Sequence, residues 1–292
     1  MSFSTYAARG ENAAWRYLLA IPLAFVLMIA ISVAIMLPLT LAHALPPDFA
    51  QQIQQPTHPN AFFAFTAAAF GALLVGMAAA ARIVHKKRFT DLLGEWRWSA
   101  WAKGAGLWGV MLLAASLIDF VIAPHGFSVA ANSKTPLLFA VAIPALAVQT
   151  FAEEYVFRGY ITQALLLATR RPLVTAVLSG LVFGSAHIPN GAPAAANAVV
   201  FGVILALIAI RTGGLAFGYG VHLVNNLYGA VVVVSGGDVF RGSPGLFTQA
   251  TPGLTWLDLA IGTAALGLVM VLVWKGKIVG AAAAAEPAAA FD

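Results

Sequence analysis

The chain has 292 residues, of which 61% are hydrophobic and only 9% charged, against about 25% charged in soluble domains; it is therefore expected to be an all-α polytopic membrane protein, a single membrane domain over 1–292. It contains no cysteine, which excludes disulfide frameworks, thiolate metal sites and cysteine nucleophiles. A net charge of +5 in so apolar a chain reads as a topology signal, and nucleic acid is set aside as a partner in favour of membrane lipids.

Apolar runs near the ~20 residues that a helix needs to cross hydrocarbon fall at 16–41, 61–83, 104–123, 135–152, 173–188, 194–210, 215–234 and 256–274. They predict about eight transmembrane helices around a buried polar site. The first run is too long for the core of a cleaved signal peptide and is read as a retained span. Residues 42–60, with four prolines and no Lys or Arg, form an external connection. The basic and aromatic stretch 82–103, with Trp96, Trp98 and Trp101 among charges, predicts a short cytoplasmic helix lying in the headgroup region. The fourth run meets no breaker before Thr169-Arg170-Arg171-Pro172, so its helix is expected to continue to about residue 168. The Ala-rich tail 280–292 is expected to be disordered.

With the amino terminus inside, Arg9, Arg16, Arg82, Lys86, Lys87, Arg88, Arg97, Lys103, Arg170, Arg171, Arg211, Lys275 and Lys277 fall on the cytoplasmic side, and only Lys134 and Arg241 fall outside. The positive-inside rule demands this asymmetry. It places both termini in the cytoplasm of a multi-pass protein of the cell membrane, the inner membrane if the source is a bacterium.

Glu153, Glu154 and Arg158 lie inside the fourth run. Ionisable groups at membrane depth cost about 2.5 to 3.5 kcal/mol each on insertion scales, so three within six residues indicate a functional site. Side chains four apart share a helix face, which pairs Glu154 with Arg158, Phe183 with His187, and His222 with Asn226. Glu154 and Arg158 form an expected structural ion pair. Glu153 is left without an opposite charge, a carboxylate free to act as general base or acid. At about 1.5 Å per residue, Glu153 and His187 lie at similar depth on either side of the 169–172 turn and are expected within one-water reach. Phe183 reads as packing, and Asn225 could replace Asn226 in facing His222. His43, His58, His85 and His125 fall in loops; Asp119, Asp258, Asn190 and Asn197 receive no role.

In order, Glu153-Glu154-x-x-x-Arg158, Phe183-x-x-x-His187 and His222-x-x-x-Asn226 resemble the three motifs of the CPBP family, the CAAX protease and bacteriocin-processing intramembrane endopeptidases also called the Abi family. The run Phe201–Leu215 is similar to that family's approach to its last motif, and the likeness covers 135–234 as a catalytic core. The resemblance implies that Glu153 and His187 activate a water that attacks a peptide carbonyl. It further implies that His222 and Asn226 stabilise the oxyanion, while Glu154 and Arg158 keep the site in shape. The residues alone agree with water-driven acyl transfer. No cofactor is expected. The alternative is a zinc-dependent version of the same protease, with Glu153, His187 and His222 as ligands, although His-Glu-x-x-His is missing. The implied substrate is a membrane-associated protein or peptide. Two competing readings are a non-catalytic immunity or scaffold protein and a proton-coupled transporter.

Overall fold

The computed structural model describes residues 1–122, 124–237, 239–250 and 256–280. An apolar run away from water must satisfy its own backbone, and the helix does so within one segment. Each predicted run is accordingly helical over most of its described length, with 215–234 passing into a strand at Val233. The helices are α1 (Phe3–Ala7), α2 (Ala14–Leu41), α3 (Phe49–Gln52), α4 (Pro59–His85), α5 (Phe89–Leu93), α6 (Trp98–Ile122), α7 (Thr135–Glu153), α8 (Thr162–Thr169), α9 (Pro172–Ser185), α10 (Ala192–Thr212), α11 (Ala216–Leu227) and α12 (Trp256–Trp274). Among the described residues, five helices are long and apolar enough to cross a membrane: α2, α4, α6, the continuous helix Thr135–Thr169, and α10. Pro172–Ser185 and Leu259–Trp274 are apolar but shorter. The protein is an all-α polytopic membrane protein. The tail assigned to 280–292 lies, from residue 281 onward, outside the described residues.

The outward faces of these helices confirm lipid as their solvent. Leu18, Val26, Ile29 and Leu41 on α2 and Val110, Leu117 and Val121 on α6 are all more than half exposed. A water-soluble protein does not present such contiguous apolar surface. In the interior, α2 packs on α4, α4 on α7, α9 on α10 and α6 on α11. Small residues set these approaches, since helices gain no hydrophobic drive from one another in lipid and associate through close packing. A methyl group added at Gly180 would meet the Val203 side chain and the Val199 carbonyl, and one at Gly220 would meet the Trp101 carbonyl.

The fourth helix runs as expected to Thr169. It ends where Arg170 turns left-handed (φ 53°), its N–H bonding the Leu166 carbonyl, and Pro172 then starts α9. The sequence did not announce that Glu154–Ile161, between α7 and α8, is π-helical. Wide turns of this kind occur mostly at functional sites.

Three local features go beyond the sequence reading. The stretch 82–103 holds the short helix α5 between the end of α4 and the start of α6 at Trp98, and α5 is followed by a bridge from Gly94 to Gly214. Glu95 N–H bonds the Gly213 carbonyl (2.8 Å) and Leu215 N–H the Leu93 carbonyl (3.0 Å), so the stretch is docked on the α10–α11 turn. His85 is not a loop residue but the buried end of α4; its ring bonds the Glu11 carbonyl (2.8 Å) and the Tyr160 hydroxyl (2.9 Å). Finally, β1 (Phe127–Val129), β2 (Val233–Ser235) and β3 (Phe247–Gln249) form a small sheet, with β3 central, antiparallel to β1 and parallel to β2.

Candidate active site

Glu153 closes α7 and Glu154 opens the π-helical segment, so the two carboxylates leave the helix in different directions just where its turns widen. Both reach His222 on α11. The His222 ring lies with Nδ1 2.8 Å from Glu154 Oε1 and Nε2 3.4 Å from Glu153 Oε2. Glu154 Oε1 also lies 3.1 Å from Arg158 Nη1, the expected pair. Arg158 is wholly buried, with its guanidinium 4.1 Å from the centroid of the Phe183 ring. Arg158, Glu154, His222 and Glu153 thus form one continuous charged cluster. The expected Glu154–Arg158 pair is present, and the same carboxylate oxygen also meets His222.

Phe183, read as packing, is buried and joins several parts. Its ring centroid lies 4.9 Å from Phe157, 4.6 Å from His187 and 6.0 Å from His222. His187 sits just beyond α9, half-buried, with Nδ1 2.9 Å from the Phe183 carbonyl. A carbonyl can only accept, so Nδ1 carries the N–H in that contact and Nε2 is left for another partner. The imidazole facing Glu153 directly is His222, and His187 reaches the cluster through the Phe183 ring.

Asn226 lies one turn beyond His222. Its Nδ2 donates to Gln149 Oε1 (3.0 Å), and Gln149 Nε2 donates to Glu153 Oε1 (2.6 Å). Asn225, the alternative, accepts from the Trp108 indole (3.1 Å) and donates to Asn226 Oδ1 (3.3 Å). Gln149 and Trp108 were missed in the sequence. Gln149 did leave a signal, a lone amide in an apolar helix one turn before Glu153. Phe201, whose ring lies 5.2 Å from His222, left none, because one more phenylalanine in an apolar run is indistinguishable from core.

Beyond the ion pair, Glu153 Oε2, Glu154 Oε2 and the three guanidinium nitrogens of Arg158 are buried without a hydrogen-bond partner among the described residues. They give the cluster both acceptors and donors for a polar guest. Among the described residues no three His, Asp or Glu side chains gather as metal ligands, and His222 already spends Nδ1 on Glu154. A groove of about 620 Å³ opens beside the loop that follows His187, lined by Gln54, Gln55, Thr57, Asn190 and Arg241 among others; none of the motif residues lines it.

The segment carrying this cluster, residues 135–228, matches the family model described as type II CAAX prenyl endopeptidase Rce1-like. That segment is similar to the Rce1-like family. This agrees with the CPBP resemblance of the three motifs, all of which fall inside the Rce1-like segment. A relative outside the motif region as well is the uncharacterized protein YyaK of Bacillus subtilis (strain 168), 28% identical over 297 aligned residues, which cover 92% of this chain and 94% of YyaK. No solved structure matches the chain.

Proposed function

We propose that the protein is an intramembrane endopeptidase that hydrolyses a peptide bond of a membrane-associated protein or peptide. The observation that carries this reading is the buried pairing of Glu153 Oε2 with His222 Nε2 at 3.4 Å, inside a segment of Rce1-like sequence. Glu153 Oε2 accepts a proton from water, and the hydroxide adds to the peptide carbonyl carbon. The lone pair on His187 Nε2 helps to hold that water. His222 and Asn226 donate to the oxyanion, His222 from Nε2 and Asn226 from the amide hydrogen that Gln149 leaves free. On collapse the C–N bond breaks, and the proton held by Glu153 passes to the leaving amine. Arg158, beside Glu154, offsets carboxylate charge, which a low-dielectric site requires. No step is routed through a metal.

Eight membrane passes with both termini in the cytoplasm fit the distribution of basic residues, and a signal, leader or other membrane-bound peptide fits a site held within helices. The test uses purified protein in liposomes, offered a set of membrane peptides and read by mass spectrometry of new termini. Wild type generates new termini and Glu153→Gln does not. Cleavage that persists unchanged in Glu153→Gln overturns the mechanism. Glu153-dependent proton flux with no cleavage would instead mark a carrier.

A further inference from the structure

The polar groups behind Glu153 form a chain with one permitted direction. The Trp108 indole can only donate, so it fixes Asn225 with its oxygen toward Trp108 and its N–H₂ toward Asn226. Asn226 must then accept at Oδ1 and donate from Nδ2, to Gln149 Oε1. Gln149 in turn presents its N–H₂ to Glu153 Oε1, an oxygen that, in a carboxylate, can only accept. A donor-only indole at one end and an acceptor-only carboxylate at the other leave no freedom to flip the three amides between them.

We propose, resting on the protease reading above, that Gln149 is the positioning residue of the reaction. It ties down Oε1 of Glu153 and leaves Oε2 as the oxygen that takes the proton from water. Three observations support it. The Gln149–Glu153 bond, at 2.6 Å, is the shortest of the bonds linking Trp108 to Glu153, as a bond to a charged acceptor is. Gln149 and Trp108 are buried, so water does not compete for either end. Lastly, Oε2 is the oxygen that both faces His222 and lacks a hydrogen bond. Asn226 thereby acts twice, through Gln149 on the base and through its second N–H on the oxyanion.

Gln149→Met keeps the length of the side chain and removes both the donor and the acceptor. Losing a hydrogen bond to a charged group lowers kcat about 10- to 100-fold, with KM changed less than about threefold because Gln149 does not touch the peptide. Trp108→Phe, far from the reacting atoms, frees the amides to flip and lowers kcat by a smaller factor in the same direction; it serves as the second variant should Gln149→Met fold poorly. A readout independent of turnover is the infrared carboxylate band of Glu153, isolated by subtracting the spectrum of Glu153→Gln. The band shifts in Gln149→Met and in Trp108→Phe without substrate present. An unmoved band, or a kcat within twofold of wild type in both variants while Glu153→Gln is inactive, overturns the role of Gln149 and leaves the protease reading standing. If wild type and Glu153→Gln alike fail to cleave, the protease reading falls and the role of Gln149 in catalysis falls with it.

Discussion

Two adjacent glutamates carry opposite kinds of constraint. Glu154 is held by Arg158 at 3.1 Å and by His222 at 2.8 Å, whereas Glu153 Oε2 is buried and has no hydrogen bond among the described residues. Glu153→Gln is accordingly expected to abolish cleavage with folded protein retained, since the amide keeps the shape and can still bond Gln149. Arg158→Ala is expected to lose folded protein, at about 3 to 5 kcal/mol, because it strands the Glu154 charge and removes the cation over Phe183. Size-exclusion yield and peptide cleavage separate the two outcomes, and a well-folded Arg158→Ala protein contradicts the assignment. A second residue-scale case lies at the loop end of α4, where Lys87 is 1% exposed and its ammonium donates to the Ala7 and Arg9 carbonyls, 2.6 Å each. Burial pulls the Lys87 ammonium down from 10.5 to about 8, against the opposing pull of Asp91. A lysine whose folded value is lowered binds a proton less readily folded than unfolded, so the cost is fully present below pH 8 and is relieved as pH rises from about 8 to 10.5. Wild type should therefore gain stability relative to Lys87→Met across that window, by up to ~3 kcal/mol. A thermal-midpoint difference that stays flat from pH 8 to 10.5 contradicts it.

At the scale of elements, the site depends on helices that approach through small residues. The α9–α10 contact brings Gly180 against Val199 and Val203, and α9 carries Phe183, the ring beneath Arg158. Gly180→Leu must push that helix away, and overpacking costs about 1 to 3 kcal/mol; the expected result is lower thermal stability together with lost cleavage. Gly106→Leu on α6 is the control, since a methyl group there meets nothing within 4 Å, and it should match wild type in both measurements. Equal behaviour of the two variants would remove close α9–α10 packing as the determinant. The π-helical segment Glu154–Ile161 is the element that the sequence hid. The run looks like unbroken helix either way, and only the tertiary setting rewards the wider turn, in which Thr162 Oγ1 donates to the carbonyl five residues back at Phe157 and also meets Ser179 on α9.

For the whole molecule, the proposed orientation in the membrane rests on thirteen basic residues assigned to one side and two to the other. The absence of native cysteine makes single-cysteine labelling in intact cells a direct assay. Lys86 and Lys134 are both exposed, unlike buried Lys87, and so are suitable reporters. Lys134→Cys should label from outside and Lys86→Cys only after permeabilisation; the reverse pattern inverts the topology.

The sequence by itself determined the solvent of this protein, its helices and its motif residues. Uninterrupted apolar runs can satisfy their backbones in lipid only as helices, and the cost of burying charge makes Glu153, Glu154 and Arg158 conspicuous. It also paired Glu154 with Arg158, because partners four residues apart on one helix are fixed by local geometry. The choice of partners between helices was decided only by the tertiary structure. Depth along a helix axis placed Glu153 level with His187, but the rotation of each helix about its axis brought His222 to face both glutamates and set His187 against Phe183. Helix rotation depends on packing by Gly180 and Gly220 against distant segments, and on the widened turn after Glu153. The same packing brought Gln149 and Trp108 into the site: each is an unremarkable residue in its own helix, and only the approach of α6, α7 and α11 aligned their donors and acceptors into one chain.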